Sequence, residues 1–428
     1  MRKFFVCAGL AVAGTASLQA AYAPDLNPME TAKLWTVSGT LRGFYDDNYN
    51  TQPTGPGKRS SFGFEVSPSV GLNVPLQQTE LGLRYTYGLY YYQDRESLGQ
   101  NAIDQTHQLD LWVDHAFTER WSGKVQDTLA VGQEPQLLNG GTLLRAQGDN
   151  FHNDGTITLD TQWTRLLGTE ISYENNLYDY QNSGGNAINP SLAGLLNRLQ
   201  HDISLNVNWR LQPTLLAFVG YQFEQVNYDG GETIALNPLN PTPVQSDNRD
   251  SRSQYVYVGG QYTPLDNLSL SAQAGIQYAD YYNPAPGDPS TSQLSPYAKL
   301  SGTYTYLPGS YVQLGFTQSR NATDVVAPAA SGKITEDQES SVIYGSLNHQ
   351  ITPRLIASLV GQIQYSTFNG GTYDGQSQTW YSMGLNLAYA ITPHVSTEIG
   401  YNYDDLTSDV PGQKYSRNRV YLGVTGTY

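Results

Sequence analysis

The sequence has one cysteine, Cys7. It lies in the N-terminal leader with too little apolar chain before it to be a lipoprotein cysteine. A mature chain without thiols has neither disulfides nor thiolate metal sites, and its stability must come from the backbone ladder. Charge is also scarce. Charged residues make up 14% of the chain, against roughly 25% in soluble domains, too few for a large soluble surface. Long apolar runs are missing too. Mean hydropathy is −0.44, and no segment after the leader approaches the ~20 residues that a membrane helix needs. There is no run of Lys or Arg, and the formal net charge is −15. That argues against a nucleic-acid partner, because phosphate binding needs basic stripes.

Aromatics and glycine are what the chain has in quantity. Tyr occurs 33 times, Gly 42 times, and aromatics reach 12%. Few charges and many aromatics fit strands with one face to lipid and one to water.

Residues 1–23 have the three parts of an export signal. Arg2 and Lys3 give the positive start, Phe4 to Ala16 the apolar middle, and Ala20, Ala21 and Ala23 the small residues near the cut. Cleavage is expected within 20–23. The expected organisation is a signal peptide over 1–23, a periplasmic N-terminal segment over 24–33 and one barrel domain over 34–428.

From Trp35 onward the pattern has period two. Trp35, Val37, Gly39, Leu41, Gly43 and Tyr45 alternate with Thr36, Ser38, Thr40, Arg42 and Phe44. Ile203, Leu205, Val207 and Trp209 alternate with Asp202, Ser204, Asn206 and Arg210. Strict alternation means half-buried strands. Length decides their class, because most runs exceed the ~5–6 residues of a soluble strand. They match the ~9–11 residues of a tilted membrane strand. Connectors alternate between short ones, such as Thr352-Pro353-Arg354 and Thr392-Pro393-His394, and long ones, such as Asp229–Arg252 and Asn321–Gln338. Tight periplasmic turns and longer outer loops produce that asymmetry. The fold class is therefore all-β: a transmembrane, antiparallel, up-and-down barrel of about 18 strands. An even count puts both chain ends on the periplasmic side. Strand starts are expected at 34, 61, 79, 106, 121, 153, 168, 200, 214, 253, 267, 294, 310, 340, 354, 378, 394 and 416.

Trp35, Trp121, Trp163 and Trp209 fall near the short-turn ends, and Tyr45, Tyr91 and Tyr281 near the long-loop ends. Both sets read as aromatic girdles at the headgroup level. The other face is polar. Arg42, Glu65, Glu80, Arg84, Asp110, Asp114, Lys124, Asp160, Glu170, Glu174, Asp202, Arg210, Glu224, Lys299 and Glu398 share its parity. At the lipid midplane Arg or Lys costs about 2–4 kcal/mol, so these charges must face a wet interior. With about 18 strands the interior is too wide for side chains to fill. Water or an inserted loop must occupy it. Gln133–His152 is the candidate loop, because its leucines call for a packing partner. Arg145 and Asp149 are then expected near a constriction.

The last strand runs Val420-Tyr421-Leu422-Gly423-Val424-Thr425-Gly426-Thr427-Tyr428. Val420, Leu422, Val424 and Tyr428 share one face. The terminal aromatic resembles the signal that bacterial barrel assembly machinery reads. The whole mature chain also resembles the putative beta-barrel porin families of Gram-negative bacteria. Segments such as Trp35-Thr36-Val37-Ser38-Gly39-Thr40-Leu41-Arg42-Gly43-Phe44-Tyr45-Asp46-Asp47-Asn48-Tyr49, Ser67-Pro68-Ser69-Val70-Gly71-Leu72 and Val125-Gln126-Asp127-Thr128-Leu129 carry that likeness. Such families include barrels of unassigned function. The resemblance implies a fold and an outer-membrane location, but no cargo.

Catalysis finds no support in the sequence. His107, His115, His201 and His349 fall on the apolar parity, His394 lies in a turn and His152 borders a long loop. None stands beside a recognisable nucleophile motif. Neither phosphate-binding glycine loops nor zinc spacings are found, so no metal and no cofactor are expected. The expected function is passive diffusion of small polar solutes with weak cation preference. The alternatives are a structural or adhesive barrel and a barrel that assists exopolysaccharide export. Expected partners are outer-membrane lipid and lipopolysaccharide, the assembly machinery and small solutes, with a homo-oligomer left open by analogy. Deleting the Gln133–His152 loop should raise single-channel conductance; an unchanged conductance would refute the constriction.

Overall fold

A computed structural model describes residues 33–53, 55–132, 149–238, 241–284 and 291–428. The leader, most of the 24–33 segment and Arg145 lie outside the described residues. The strands are β1 (Trp35–Asp46), β2 (Ser61–Pro75), β3 (Thr79–Tyr92), β4 (Ile103–Ala116), β5 (Trp121–Gly132), β6 (Asn150–Gln162), β7 (Leu167–Tyr180), β8 (Arg198–Gln212) and β9 (Leu215–Tyr228). A short hairpin of β10 (Thr233–Leu236) and β11 (Pro243–Gln245) follows. The wall resumes with β12 (Ser251–Leu265), β13 (Leu268–Tyr281), β14 (Thr291–Leu307), β15 (Ser310–Asn321), β16 (Thr335–Thr352), β17 (Leu355–Gly370), β18 (Ser377–Thr392), β19 (Val395–Ser408) and β20 (Tyr415–Thr427). Two one-turn helices lie in connectors, α1 (Gln93–Ser97) and α2 (Leu192–Leu196).

All strands but β10 and β11 form one 18-stranded antiparallel sheet, in which β9 joins β12 and β1 joins β20. The sheet is thus a closed barrel. Its seam runs from Ser38 opposite Thr427 to Asp46 opposite Arg419. Beyond it, the Val37 N–H donates to the Tyr428 carbonyl at 3.1 Å, and the Tyr428 N–H donates back at 2.8 Å. Most expected strand starts lie within three residues of the observed ones. The largest error is β16, which begins at Thr335 rather than 340. Its first residues are polar and do not alternate, so no periodicity marked them.

The barrel wears its apolar side chains outside. Leu41, Val70, Ile203, Val258, Leu314, Ile343 and Leu422 are all half exposed or more on that face. Val420, Val424 and Tyr428 join Leu422 on the outside of β20, at 47%, 48% and 68% exposure. At the short-turn end Trp35, Trp121, Trp163 and Trp209 are likewise exposed. Trp121 meets Trp163 edge-on, with ring centroids 5.6 Å apart.

Inside, some rings lie where the neighbouring strand has glycine. A Cβ at Gly82 would come within 1.8 Å of the Trp112 ring, and one at Gly400 within 2.0 Å of the Tyr421 ring. Only glycine lets those aromatics lie so close to the wall.

The seam is also held by charge. Arg42 on β1 donates from Nε to Glu398 on β19 at 2.5 Å and from Nη1 to Glu65 on β2 at 3.2 Å. All three side chains are about nine-tenths buried. Nearer the long loops, Asp46 accepts from Arg417 at 2.6 Å and from Arg419 at 3.0 Å. Removing one partner of a buried pair leaves an uncompensated charge, at a cost of about 3–5 kcal/mol. Arg42→Ala should therefore lower the unfolding midpoint, read from heat-modifiable gel migration. Adding Glu65→Gln and Glu398→Gln should recover part of the loss. A midpoint that Arg42→Ala leaves unchanged would remove the seam triad from the stability account.

Candidate functional site

Strand parity places the polar set on the inner wall. Arg42, Glu65, Arg84, Asp110, Lys124, Glu170, Asp202, Arg210, Glu224 and Lys299 all alternate with the exposed apolar face. The ladder then sets which of them meet. Arg84 stands opposite Asp110, and Asp114 opposite Lys124. Glu174, Asp202 and Glu224 form a row across β7, β8 and β9. Like charges directly opposite one another are unfavourable, so this row needs donors. Gln200 Nε2 donates to both Asp202 and Glu224 at 3.1 Å, Gln222 donates to Asp202 at 2.9 Å, and Tyr255 OH donates to Glu224 at 3.2 Å. Over β6–β9 the inward carboxylates Asp154, Asp160, Glu170, Glu174, Asp202 and Glu224 outnumber the inward bases Arg198 and Arg210.

Beside the row lies a wall of rings: Phe218, Tyr255, Tyr257 and Tyr297. Lys299 Nζ sits 5.6 Å from the Tyr297 ring centre. These rings are not among the lumen residues expected from sequence. Neither are Trp112 and the fully buried Trp380, both of which lie inside the barrel. Parity was the signal available for both, since each alternates with outward residues.

Two other expectations are corrected. Tyr281 is not an outer girdle residue. It has the inward parity of β13, is 4% exposed, and donates its hydroxyl to Asp337. His152 does not border a loop. It lies within β6 on the inward face and stacks on Tyr178 at 4.5 Å. The outer histidines are tied to neighbours: His107 to Tyr85, His201 to Tyr173 and His349 to Tyr306, each at 2.8 Å, and His115 to Thr79 at 2.7 Å. Asp149 is exposed just before β6, where its carbonyl accepts from the Gln181 N–H at 3.0 Å.

At the long-loop end the wall parts. β14 pairs with β13 from Thr291 onward, but its pairing with β15 reaches only Ala298 opposite Gln318. Pro296 lies two residues beyond that last pair and has no N–H to donate. From there β15 and β16 turn into the barrel. Arg320 shares a face with the exposed Leu314, and Asp337 with the exposed Ile343. Nevertheless Arg320 donates to the inward Ser295 at 3.2 Å and to Asp337 at 2.6 Å, and Asp337 accepts from the inward Tyr281. The outer-parity face of β15–β16 is packed on the inner face of β13–β14.

Other connectors meet this inserted edge. Ile234, Ala235 and Val244 of the β10–β11 hairpin pack with Ile334, while Val325 from the same connector as Ile334 packs with Phe368 near the end of β17 and Val410 between β19 and β20. Arg249 ties the cluster. It is fully buried and donates to the carbonyls of Gly194, Leu195 and Thr323 at 2.9–3.0 Å, with its guanidinium 4.1 Å from the Tyr228 ring centre. The segment expected from sequence to insert, Gln133–His152, lies mostly outside the described residues. Between the inserted edge and the wall is a cavity with both signs on its lining: Arg198, Arg249 and Arg320, and Glu224, Glu336 and Asp337.

A closed 18-strand barrel, apolar without and charged within, is now established. The profile of one family, described as "Putative beta-barrel porin 2", matches residues 35–428. The chain belongs to that family. Among solved structures it is similar to Acinetobacter baumannii OccAB4, at 12% identity and a TM-score of 0.44, over 94% of this chain and 100% of the other. It is also similar to Pseudomonas aeruginosa OccK3 (OpdO), at 13% identity and a TM-score of 0.42, over 92% and 96%. The corresponding values for P. aeruginosa OccK9 (OpdG) are 11%, 0.43, 92% and 98%. No curated protein gives a significant match.

The mouth of this porin-family barrel carries two loop carboxyls that titrate unusually high. Burial pushes Asp324 up to about 6, against the pull of Arg249 and Arg198. Burial likewise raises Asp250 to about 6, although it accepts the Tyr228 N–H at 2.7 Å. Both folded values exceed the ordinary 3.8. Their contribution to loop stability is therefore full below about pH 4 and lost as pH rises through about 6. Amide exchange, corrected for intrinsic rates, should show the 182–197 and 229–250 connectors better protected at pH 5 than at pH 8. Asp324→Asn should shrink the difference; equal protection at both pH values would contradict the burial account.

Proposed function

We propose that this outer-membrane barrel is a non-catalytic channel for passive diffusion of small polar solutes, with a weak preference for cations. The ends of β1 and β20 then face the periplasm. The observation that carries this reading is the charged inner wall of a closed 18-strand barrel. Such a width leaves room for water. The excess of carboxylates over β6–β9 supplies the sign. Because the Debye length is ~8 Å in physiological salt, the bias on passing ions is small.

One observation favours a second reading, a plugged barrel with a structural or adhesive role. That observation is the insertion of β15–β16 and the packing of the outer connectors around Arg249.

Planar-bilayer recording of the folded protein under a salt gradient separates the two. Steady open steps with a reversal potential shifted toward the cation are expected. Glu174→Gln, Asp202→Asn and Glu224→Gln together should move that potential toward zero. Folded protein that passes no current would support the plugged barrel and end the diffusion reading.

A further inference from the structure

Charge inside this barrel is spent unevenly. Near the long loops Asp46, Arg95, Asp104, Arg320 and Asp337 are buried in ion pairs. Toward the short turns a group on β3, β4 and β5 is not. Glu80 is exposed there, and Arg84, Asp110, Asp114 and Lys124 are partly exposed. Arg84 stands opposite Asp110, and Asp114 stands between Glu80 and Lys124. None of the five joins an ion pair among the described residues, and only Asp110 receives hydrogen bonds, from Gln108 at 2.9 Å and Thr128 at 3.1 Å. These groups keep bonding capacity on surface that a solute can reach.

Trp112 is the centre of the group. It stands opposite Gly82 on β3 and Gln126 on β5, with Asp110 and Asp114 two residues away on its own strand. Glu80 and Arg84 flank Gly82 in the same way. A Cβ on Gly82 would fall within 2.4 Å of three joined indole atoms, Nε1, Cε2 and Cζ2. The indole therefore leans across the ladder and covers the buried Gly82, between Glu80 and Arg84. Trp112 itself is partly exposed, so the rest of its ring surface is open to the lumen. The frame around it spans ~13 Å along the strands, four residues at ~3.3 Å each, and ~10 Å across three strands. One sugar ring fits inside it.

The signs in the frame decide the class of ligand. Glu80, Asp110 and Asp114 oppose an anion, while Arg84 and Lys124 oppose a cation. A neutral solute with hydroxyls meets neither penalty. Each hydroxyl can donate to a carboxylate and accept from a base. An aromatic surface with a few placed polar groups is the usual make-up of a small-molecule site. We propose that Trp112 is a stacking platform for a pyranose sugar, with the C–H face of the sugar on the indole and its hydroxyls on Glu80, Arg84, Asp114 and Lys124. The proposal gives the diffusion reading a substrate class and rests on that reading for its meaning in transport. Binding itself does not require conduction.

The test is saturation-transfer NMR of the folded full chain in a detergent without a sugar headgroup. The probe is methyl β-D-glucopyranoside, whose ring hydroxyls are all equatorial, so that both faces present C–H groups. Sorbitol supplies hydroxyls without a ring, and choline supplies a cation. The glucoside should bind, and each comparator should bind at least about tenfold more weakly, as expected when the aromatic contact or the hydroxyl bonds are missing. Trp112→Ala should weaken the glucoside by about tenfold or more, and Trp112→Phe should restore part of the loss. Arg84→Met with Lys124→Met removes two donors and should weaken the glucoside, whereas a cation site would tighten on choline. Should Trp112→Ala lack heat-modifiable migration, the ranking of the three solutes and the double Met variant decide. No glucoside binding, equal binding of sorbitol, tighter binding of choline, or binding that Trp112→Ala leaves unchanged in folded protein would overturn the site. Glucoside binding without current in the bilayer would sink the diffusion reading and keep the site. Current without glucoside binding would do the reverse.

Discussion

A backbone in hydrocarbon has no water to bond with, and everything else in this molecule follows from that. Each unpaired N–H or C=O costs several kcal/mol there, so a sheet can cross only if it closes. Closure here rests on the pairing of β1 with β20. The seam joins the strands farthest apart in sequence, so it is the contact with the largest ordering cost. Its reinforcement fits that position. Arg42 bridges Glu65 and Glu398, Asp46 holds Arg417 and Arg419, and Tyr428 pairs with Val37.

Once the wall is closed, alternation sorts the side chains. The apolar half faces outward, where no contact within the chain is needed. The polar half faces inward and must find partners across the ladder or water. That explains why the inner wall is a network of amides, hydroxyls and charges. The glycines opposite Trp112 and Tyr421 serve the same arrangement by making space for rings against the backbone.

The mouth is where the wall departs from regularity. β14 and β15 separate beside Pro296, a residue that cannot donate to a ladder. The freed ends of β15–β16 carry Arg320 and Asp337 on the parity that lower down faces outward. Turning inward gives both charges partners, in Ser295, Tyr281 and each other. The inserted edge then offers apolar and carbonyl surface to the other connectors, and Arg249 joins three of them. Insertion near the proline resolves two conflicts at once: an interrupted ladder and misplaced charges.

Much of this was legible in the residues. Period-two runs, their length and the alternation of short and long connectors determined the closed barrel, its strand number and the inward parity of Arg42, Glu65, Asp202 and Glu224. These are local properties, because side-chain direction along a strand depends only on counting. The connectors were not legible in the same way. Nothing periodic marks the first residues of β16, the β10–β11 hairpin or the role of Arg249. Tyr281 looked like a girdle residue because strand ends do not reveal which ring turns in. The cavity joins side chains from β8, β9, the Arg249 turn and β15–β16, segments up to about 140 residues apart. Only tertiary structure could decide that meeting, because it depends on where the wall parts and which way the freed strands fold.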